Sequence, residues 1–402
     1  MPKAFVPVAR PHLGREEVLA AERAILSGWV TQGPEVEAFE REFAAFVGAQ
    51  HACAVSSGTT ALHLALLAVG VRTGDEVITV SHSYIATANS IRYCGGLPVF
   101  VDIEPSTFNI DPRRIDEAIT DRTRAILCVH QMGMPCDLRS VIQVARGHGI
   151  AVVEDAACAI GSEIRWNEAW ERVGKPHGDV ACFSFHPRKL LTTGDGGMLT
   201  TSNANMDRKL RLWRQHGMSV PDTVRHSSTK VVFESYPELG FNYRLTDIQA
   251  AVGREQLKRL ADAIRRRRLL AARYRKLLSE VPGLIVPTEP DWAHTNWQSY
   301  CVRLPGNQDQ REVMQKMLDD GVATRRGVMC AHRELAYCSP GSWRCAHRHC
   351  PPRECCPNLV ESEKAQDQGV ILPLFSEMTE EQQDRVAAAL QAACSPKVNG
   401  AN

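Results

Sequence analysis

No stretch of this 402-residue chain stays apolar over the roughly eighteen positions that a membrane-spanning helix needs. The longest candidate, Ala61 to Val71, is interrupted by His63. An excess of one charge is also missing. Lysine and arginine total 47 against 46 acids, a net charge of +1, which argues against a dedicated nucleic-acid binder. The opening MPKAFVPVAR has no apolar core of a secretory leader, and no repeat of solenoid period is visible. With those classes set aside, 44% apolar and 23% charged residues describe a globular protein with material for a large core. The length predicts two or three domains, and the expectation is a cytoplasmic, enzyme-sized protein with no membrane partner.

The fourteen cysteines are too sparse for a disulfide scaffold. Eight are scattered, mostly within apolar segments where cysteine behaves as a small hydrophobe. The other six fall between Cys330 and Cys356, and CAHRHCPPRECC (345–356) adds His347 and His349 to four of them. Zinc accepts such ligands, but no paired C-x-x-C knuckle is present. The expectation is no metal and a surface loop with free thiols that shapes the substrate pocket.

Strands and helices alternate through the first half. HACAVS (51–56), DEVITV (75–80), GLPVFVDI (96–103), RAILCVH (124–130) and GIAVVEDAA (149–157) read as strands. SGTTALHLALLAVG, Ile85 to Tyr93 and Leu138 to His148 read as helices between them, after amphipathic helices at Arg15 to Ser27 and Glu35 to Val47. This alternation predicts an α/β fold with a mostly parallel sheet covered on both faces. VACFSF (180–185) and GGMLTT (196–201) extend the strands, and a long helix runs from Thr246 to about Glu280. Its Arg265 to Arg268 run reads as a solvated face rather than a phosphate patch. Pro282, Pro287 and Pro290 mark passage into a smaller domain. That domain is expected to hold strands at 300–304 and 370–374, a helix at 310–321, and a closing helix at Glu380 to Ala393 capped by Thr379. The boundaries expected are a large domain over 1–255 and, over 256–402, the connecting helix with a small α+β domain.

Four features carry chemistry. SSGTTAL places Gly58 and Thr59 where a strand opens into a helix, which suits an anion and equally suits an ordinary cap. Asp155 ends a buried strand, where a carboxylate either caps the next segment or faces a cation. FSFHPRKLLTTGDGG puts Lys189 in a loop before Gly194, Gly196 and Gly197, where folding alone asks for no lysine; beside an anion cradle and a strand-end acid it suits a Schiff base. GFNYRLTDIQAAVG holds Asn242 and Arg244 at a helix entry.

These segments, together with GWVTQGPEVEAFE (28–40), VSHSYIATANSI (80–91) and VHQMGMPCDL (129–138), resemble the DegT/DnrJ/EryC1/StrS sugar aminotransferases, from about Val6 to about Ala389. These are fold-type I enzymes that use pyridoxal 5′-phosphate. The resemblance implies a sheet of the seven-stranded type in a large domain. Lys189 matches the lysine that carries the cofactor and shuttles a proton, and Asp155 the acid that pairs with the pyridine nitrogen. Tyr84 matches the aromatic stacked on the ring. Gly58, Thr59 and Ser184 match phosphate contacts, and Asn242 an asparagine reaching the phosphate from a partner subunit, which implies a homodimer with shared sites. His332 matches a histidine near the sugar. Cys158 stands where the family often has Gln or His by the ring hydroxyl, so packing is expected of it. A dehydratase branch replaces the lysine with histidine; Lys189 is retained here, and His186 lies three residues earlier. The implied reaction moves an amino group from glutamate or glutamine to a keto sugar, most often nucleotide-linked. A keto-inositol acceptor, or dehydration or aromatisation on the same scaffold, are the alternatives.

Overall fold

The computed structural model describes residues 5–220, 224–225, 228–346 and 355–395. In chain order it forms α1 (Arg15–Leu26), α2 (Pro34–Val47), β1 (His51–Val55), α3 (Gly58–Ala68), β2 (Glu76–Val80), α4 (Ala86–Tyr93), β3 (Leu97–Val101) and β4 (Thr123–Val129). There follow α5 (Leu138–His148), β5 (Ala151–Asp155), β6 (Glu163–Trp166), β7 (Ala169–Arg172), β8 (Val180–Ser184), β9 (Gly197–Thr201) and α6 (Ala204–Trp213). The C-terminal part holds α7 (Asp247–Lys258), α8 (Leu260–Leu278), β10 (Ala293–His294), β11 (Tyr300–Arg303), α9 (Gln310–Asp319) and β12 (Arg325–Arg326). It closes with β13 (Arg344–Cys345), α10 (Val360–Gln368), β14 (Gly369–Leu372) and α11 (Glu380–Cys394). Among the described residues no helix is long and apolar enough to cross a membrane.

The large sheet runs β1-β9-β8-β5-β4-β2-β3-β13, with β9 antiparallel to both neighbours and every other pairing parallel. Side-chain alternation divides its strands between two apolar layers. Along β4, Ile126 and Cys128 join one layer with Phe39 and Phe43 of α2 and Val141 and Ile142 of α5. Ala125 and Leu127 join the other with Leu62 and Leu64 of α3 and Leu210 of α6. Burial on both faces is why these strands read as continuous apolar runs.

Among the described residues the sheet has eight strands, one more than the seven-stranded type expected. The addition is β13, in which Arg344 and Cys345 pair with Val99 and Phe100 on the edge strand β3. Arg344 reaches Glu76 of β2, with its Nε 2.9 Å from Oε1, and this ion pair anchors a two-residue strand that no periodicity could reveal. The small sheet, β11-β14-β12, packs against α8, α9 and α11 around Tyr274, Tyr300, Met317 and Leu390, and Val6 from the N-terminal end enters that core. Thr379 caps α11 in a reciprocal box with Gln382, as its spacing predicts.

The expected single helix over 246–280 is two. Arg259 leaves helical geometry at φ −106°, ψ 6° between α7 and α8. Of the arginine run on α8, Arg265 is solvated as expected, but the other three are drawn inward. Arg267 is only 4% exposed, and its Nη1 donates to the carbonyls of Trp297 and Gln298 at 3.0 and 3.2 Å. Arg266 donates to the Met378 carbonyl at 2.8 Å and Arg268 to that of Thr295 at 3.1 Å. Guanidinium groups here satisfy backbone carbonyls at the end of the helix layer, which burial demands and charge counting does not show. Near the helix entry, Asp247 caps a different helix, accepting from the amides of Gly33, Glu35 and Val36 at the start of α2 at 2.7–3.1 Å.

Candidate active site

Parallel strands deliver their next residues to one edge of the sheet, the usual place for a ligand in such folds. Segments following β2, β4, β5 and β8 meet there at the N-terminus of α3 and the residues of β12 and β14, enclosing a cavity of about 350 Å³. Gly58, Thr59, Tyr84, Asp155, Cys158, Ser184 and Lys189 all line it. Asn242 and His332 do not.

The anion cradle is built by a helix cap and two close approaches. Ser57 caps α3, accepting from the Thr60 amide at 3.1 Å, while Thr60 Oγ1 accepts from the Ser57 amide at 3.1 Å. Gly58 and Thr59 supply the first-turn amides, which have no intrahelical acceptor. A Cβ on Gly58 would stand 2.8 Å from the Ser184 Cβ, and one on Gly197 2.4 Å from the Ser57 carbonyl. Only glycine at both positions lets the Ser184 hydroxyl approach the helix start. The two amides and the Ser184 hydroxyl thus lie together on the cavity at the positive end of a helix, an arrangement that fits a phosphate.

Asp155 ends β5 and is buried. Burial pushes its carboxyl above the usual range, opposed by Thr87 Oγ1 donating at 2.8 Å, the Ala157 amide donating at 3.2 Å, and the charges of Lys189 and His130. Ser83 Oγ lies 2.7 Å from Thr87 Oγ1, so a hydroxyl pair from the start of α4 stands behind the acid. Beside it, buried His130 Nδ1 accepts from the Cys136 amide at 3.1 Å, which leaves Nε2 to pair with Glu154 at 3.0 Å. Tyr84, at the entrance to α4, is 64% exposed and flanks the cavity.

Lys189 sits in a turn in which its amide donates to the His186 carbonyl at 2.8 Å. Its Nζ is 2.9 Å from Cys158 Sγ, so the cysteine meets the amine directly instead of serving only as packing. A segment from beyond α8 holds both partners. Gln298 Nε2 donates to the Arg188 carbonyl at 2.6 Å and its Oε1 accepts from the Leu190 amide at 3.2 Å. Asn296 Nδ2 donates to the carbonyls of Cys158 and Ile160, both at 2.9 Å.

His332 stands off the lining of the cavity. Its ring is fully buried, with Nδ1 2.6 Å from Ser81 Oγ and Nε2 3.0 Å from Glu363 Oε1. Glu363 only accepts, so Nε2 carries the proton and Nδ1 accepts from the serine hydroxyl. Desolvation lowers the ring's pKa against the pull of Glu363. The histidine ties the segment after β2, which carries Tyr84, to α10, and its ring does not face the cavity. Asn242 is exposed, in a backbone bridge with Gln215.

Of the Cys/His-rich stretch, Cys345 and Cys356 are buried with Phe100, Tyr337, Trp343 and Leu359, so they are core residues and not free surface thiols; Cys355 is exposed. His347, His349 and Cys350 lie outside the described residues. Among the described residues no group of three His, Cys, Asp or Glu side chains could hold a metal ion.

Sequence reasoning missed Thr87, His130, Asn296 and Gln298. Thr87 and His130 lie inside segments already singled out, VSHSYIATANSI and VHQMGMPCDL. Asn296 and Gln298 carry no local signal at all, because their partners are more than a hundred residues away in the chain.

A profile of the DegT/DnrJ/EryC1/StrS aminotransferase family matches residues 11–391. The chain is 42% identical over 300 residues to the spore coat polysaccharide biosynthesis protein SpsC of Bacillus subtilis (strain 168), covering 75% of this chain and 76% of that protein. Its fold is similar to that of DesV from S. venezuelae, at TM-score 0.87 and 33% identity over 98% of this chain and 100% of the other. It is also similar to the aminotransferase TlmJ of Streptoalloteichus hindustanus, at TM-score 0.84 and 30% identity over 97% and 98% of the two chains.

Proposed function

The chain belongs to the DegT/DnrJ/EryC1/StrS family of pyridoxal 5′-phosphate-dependent sugar aminotransferases, and from that premise we propose that it moves an amino group from glutamate or glutamine to a nucleotide-linked keto sugar. The observation that carries this reading is the meeting, in one cavity, of a phosphate cradle, a buried acid and a lysine amine.

The residues divide the work by chemistry. The amides of Gly58 and Thr59 and the Ser184 hydroxyl hold the phosphate. Bound there, the cofactor supplies an electron sink for the bond being broken next to the transferred amine. Asp155 would accept from the protonated pyridine nitrogen and keep that nitrogen charged. For that it must be ionised, which Thr87, Ala157 and Lys189 favour against burial. Tyr84 covers the ring. Lys189 Nζ would hold the cofactor and, freed from it, would move a proton from the substrate carbon to the cofactor's aldehyde carbon. Cys158 faces that amine.

Arg188, Arg325 and Arg326 stand on the same cavity, and all three are exposed. Guanidinium groups at the mouth suit a diphosphate. Asn242 is exposed and off this cavity, and Phe233 and Leu239 nearby in the chain are each 89% exposed. These support a homodimer in which a second copy covers the apolar side chains and Asn242 serves the partner's phosphate. Since nucleotide-linked sugars are soluble metabolites, we place the enzyme in the cytoplasm.

The test offers the amino form of the enzyme a keto sugar with and without its nucleoside diphosphate, and a keto-cyclitol. The reading expects the linked sugar to be preferred by at least about tenfold in kcat/KM, a preference that Arg325→Ala with Arg326→Ala diminishes. Equal use of the nucleotide-free acceptors would contradict it.

A further inference from the structure

We propose that Gln298 is a positioning residue that sets Lys189, with Asn296 and Arg267 fixing it from behind; the proposal rests on Lys189 being the residue that carries the cofactor. The amide of Gln298 straddles the lysine. One end donates to the carbonyl of Arg188 and the other accepts from the amide of Leu190, so a single planar group bonds the backbone on both sides of Lys189. A neighbouring strand would hold a peptide in the same way, and here a side chain does so in a turn.

Gln298 is itself fixed. Its backbone N–H donates to Asn296 Oδ1 at 2.8 Å, and buried Arg267 donates to its backbone carbonyl and to that of Trp297. Trp297 is held at φ +53°, an unfavourable conformation for a bulky residue, retained only where the surroundings over-determine it. Asn296 fixes the opposite side of the same contact through the carbonyls of Cys158 and Ile160. Gly133, at φ +97°, leaves room for this, since a Cβ there would lie 2.1 Å from Asn296 Oδ1. The 2.9 Å approach of Lys189 Nζ to Cys158 Sγ is therefore set by one segment that binds both flanks.

Burying two carboxamides is costly unless each polar atom is satisfied, and a packing role would be met by apolar side chains. Both amides instead bond backbone beside the chemistry. A proton-transfer amine displaced by about 1 Å loses on the order of a hundredfold in rate, so the segment acts on the lysine's reactions more than on affinity.

The experiment compares the full-length enzyme with Gln298→Met, which keeps the length and loses both bonds, and Gln298→Glu, which keeps only the acceptor for Leu190. Each is stripped and reloaded with added pyridoxal 5′-phosphate, and the rate of lysine linkage is followed by absorbance and by borohydride reduction with peptide mapping. Glutamate half-reaction kinetics and melting temperatures are recorded alongside. The expected result for Gln298→Met is linkage to Lys189 and a half-reaction each slowed by about ten- to a hundredfold, with half-saturating glutamate nearly unchanged. Gln298→Glu is expected to fall between it and wild type, slowed by at least about threefold. Rates within twofold of wild type in either folded variant would overturn the proposal, even if the melting temperature drops, since a structural role alone moves only the latter. If Gln298→Met does not fold, Gln298→Glu decides by the same criterion. Cofactor found on another lysine of the wild-type protein would instead defeat the underlying reading of Lys189.

Discussion

Thr87 Oγ1 donates to Asp155 Oδ2 at 2.8 Å, with both side chains buried at the wall of the cavity. The acid is raised by burial, and this hydroxyl is the largest of the influences that lower it. Thr87→Val keeps the shape and removes the donor, so the Asp155 pKa rises further. The ionised carboxylate is the working form, so on acidification activity is lost starting from a higher pH than in wild type. A hydrogen bond to a charged group is worth about 1.5–3 kcal/mol, which corresponds to at least about tenfold in activity on the acid side. A kcat/KM profile against pH checks this; an unmoved acid limb would contradict it.

Gly58→Ala tests the cradle. The added Cβ meets Ser184 Cβ at 2.8 Å, closer than real contacts allow, and either the helix start or β8 must shift. Overpacking of this kind costs about 1–3 kcal/mol of stability. Cofactor affinity should fall by at least about tenfold, because the amides and Ser184 no longer converge. Cofactor titration and denaturant unfolding measure the two effects separately.

His82 gives the fold an acid-sensitive point. It is fully buried against Phe108, and burial with the charge of Arg303 pushes its pKa down to about 3 against a backbone hydrogen bond with Val328. Between about pH 6.5 and 3 the unfolded chain binds a proton there that the folded one does not. The stability is complete above about pH 6.5 and is lost on acidification, by about 1.4 kcal/mol per pH unit from this group. His82→Leu should flatten that slope in denaturant midpoints taken across the range. An equal slope in the variant would show that the loss arises elsewhere.

For His332, a supporting role and a sugar-binding role make opposite forecasts. His332→Ala removes the partner of Ser81 and one partner of Glu363, costing about 1–3 kcal/mol of stability. In the folded fraction the KM for the keto sugar should stay within about threefold. A large rise in that KM without destabilisation would restore the histidine to the substrate site.

Much of this architecture was legible because local pattern and burial agree. The β-branched runs from Val77 to Val153 carry both sheet faces, and Ser57 and Thr379 cap the helices their spacing indicates. Gly58 and Asp155 could be singled out because each sits where a strand ends, and Lys189 because folding alone asks for no lysine in its loop. The rest depends on distant parts of the chain. β13 is a two-residue pairing tied down by Glu76, Arg267 is buried because carbonyls of Trp297 and Gln298 await it, and Gln298 finds its partners 108 and 110 residues away. Periodicity has no access to such contacts. Only the tertiary fold creates them.

The most direct measurement is the absorbance spectrum of the cofactor-loaded enzyme before and after glutamate or glutamine, followed by borohydride reduction and peptide mapping of the untreated sample. A band near roughly 410–430 nm that moves to about 330 nm with either donor, and a reduced cofactor on the peptide containing Lys189, is the predicted result. No band after adding pyridoxal 5′-phosphate, or a label on a different lysine, would contradict the assignment of this cavity as the aminotransferase site.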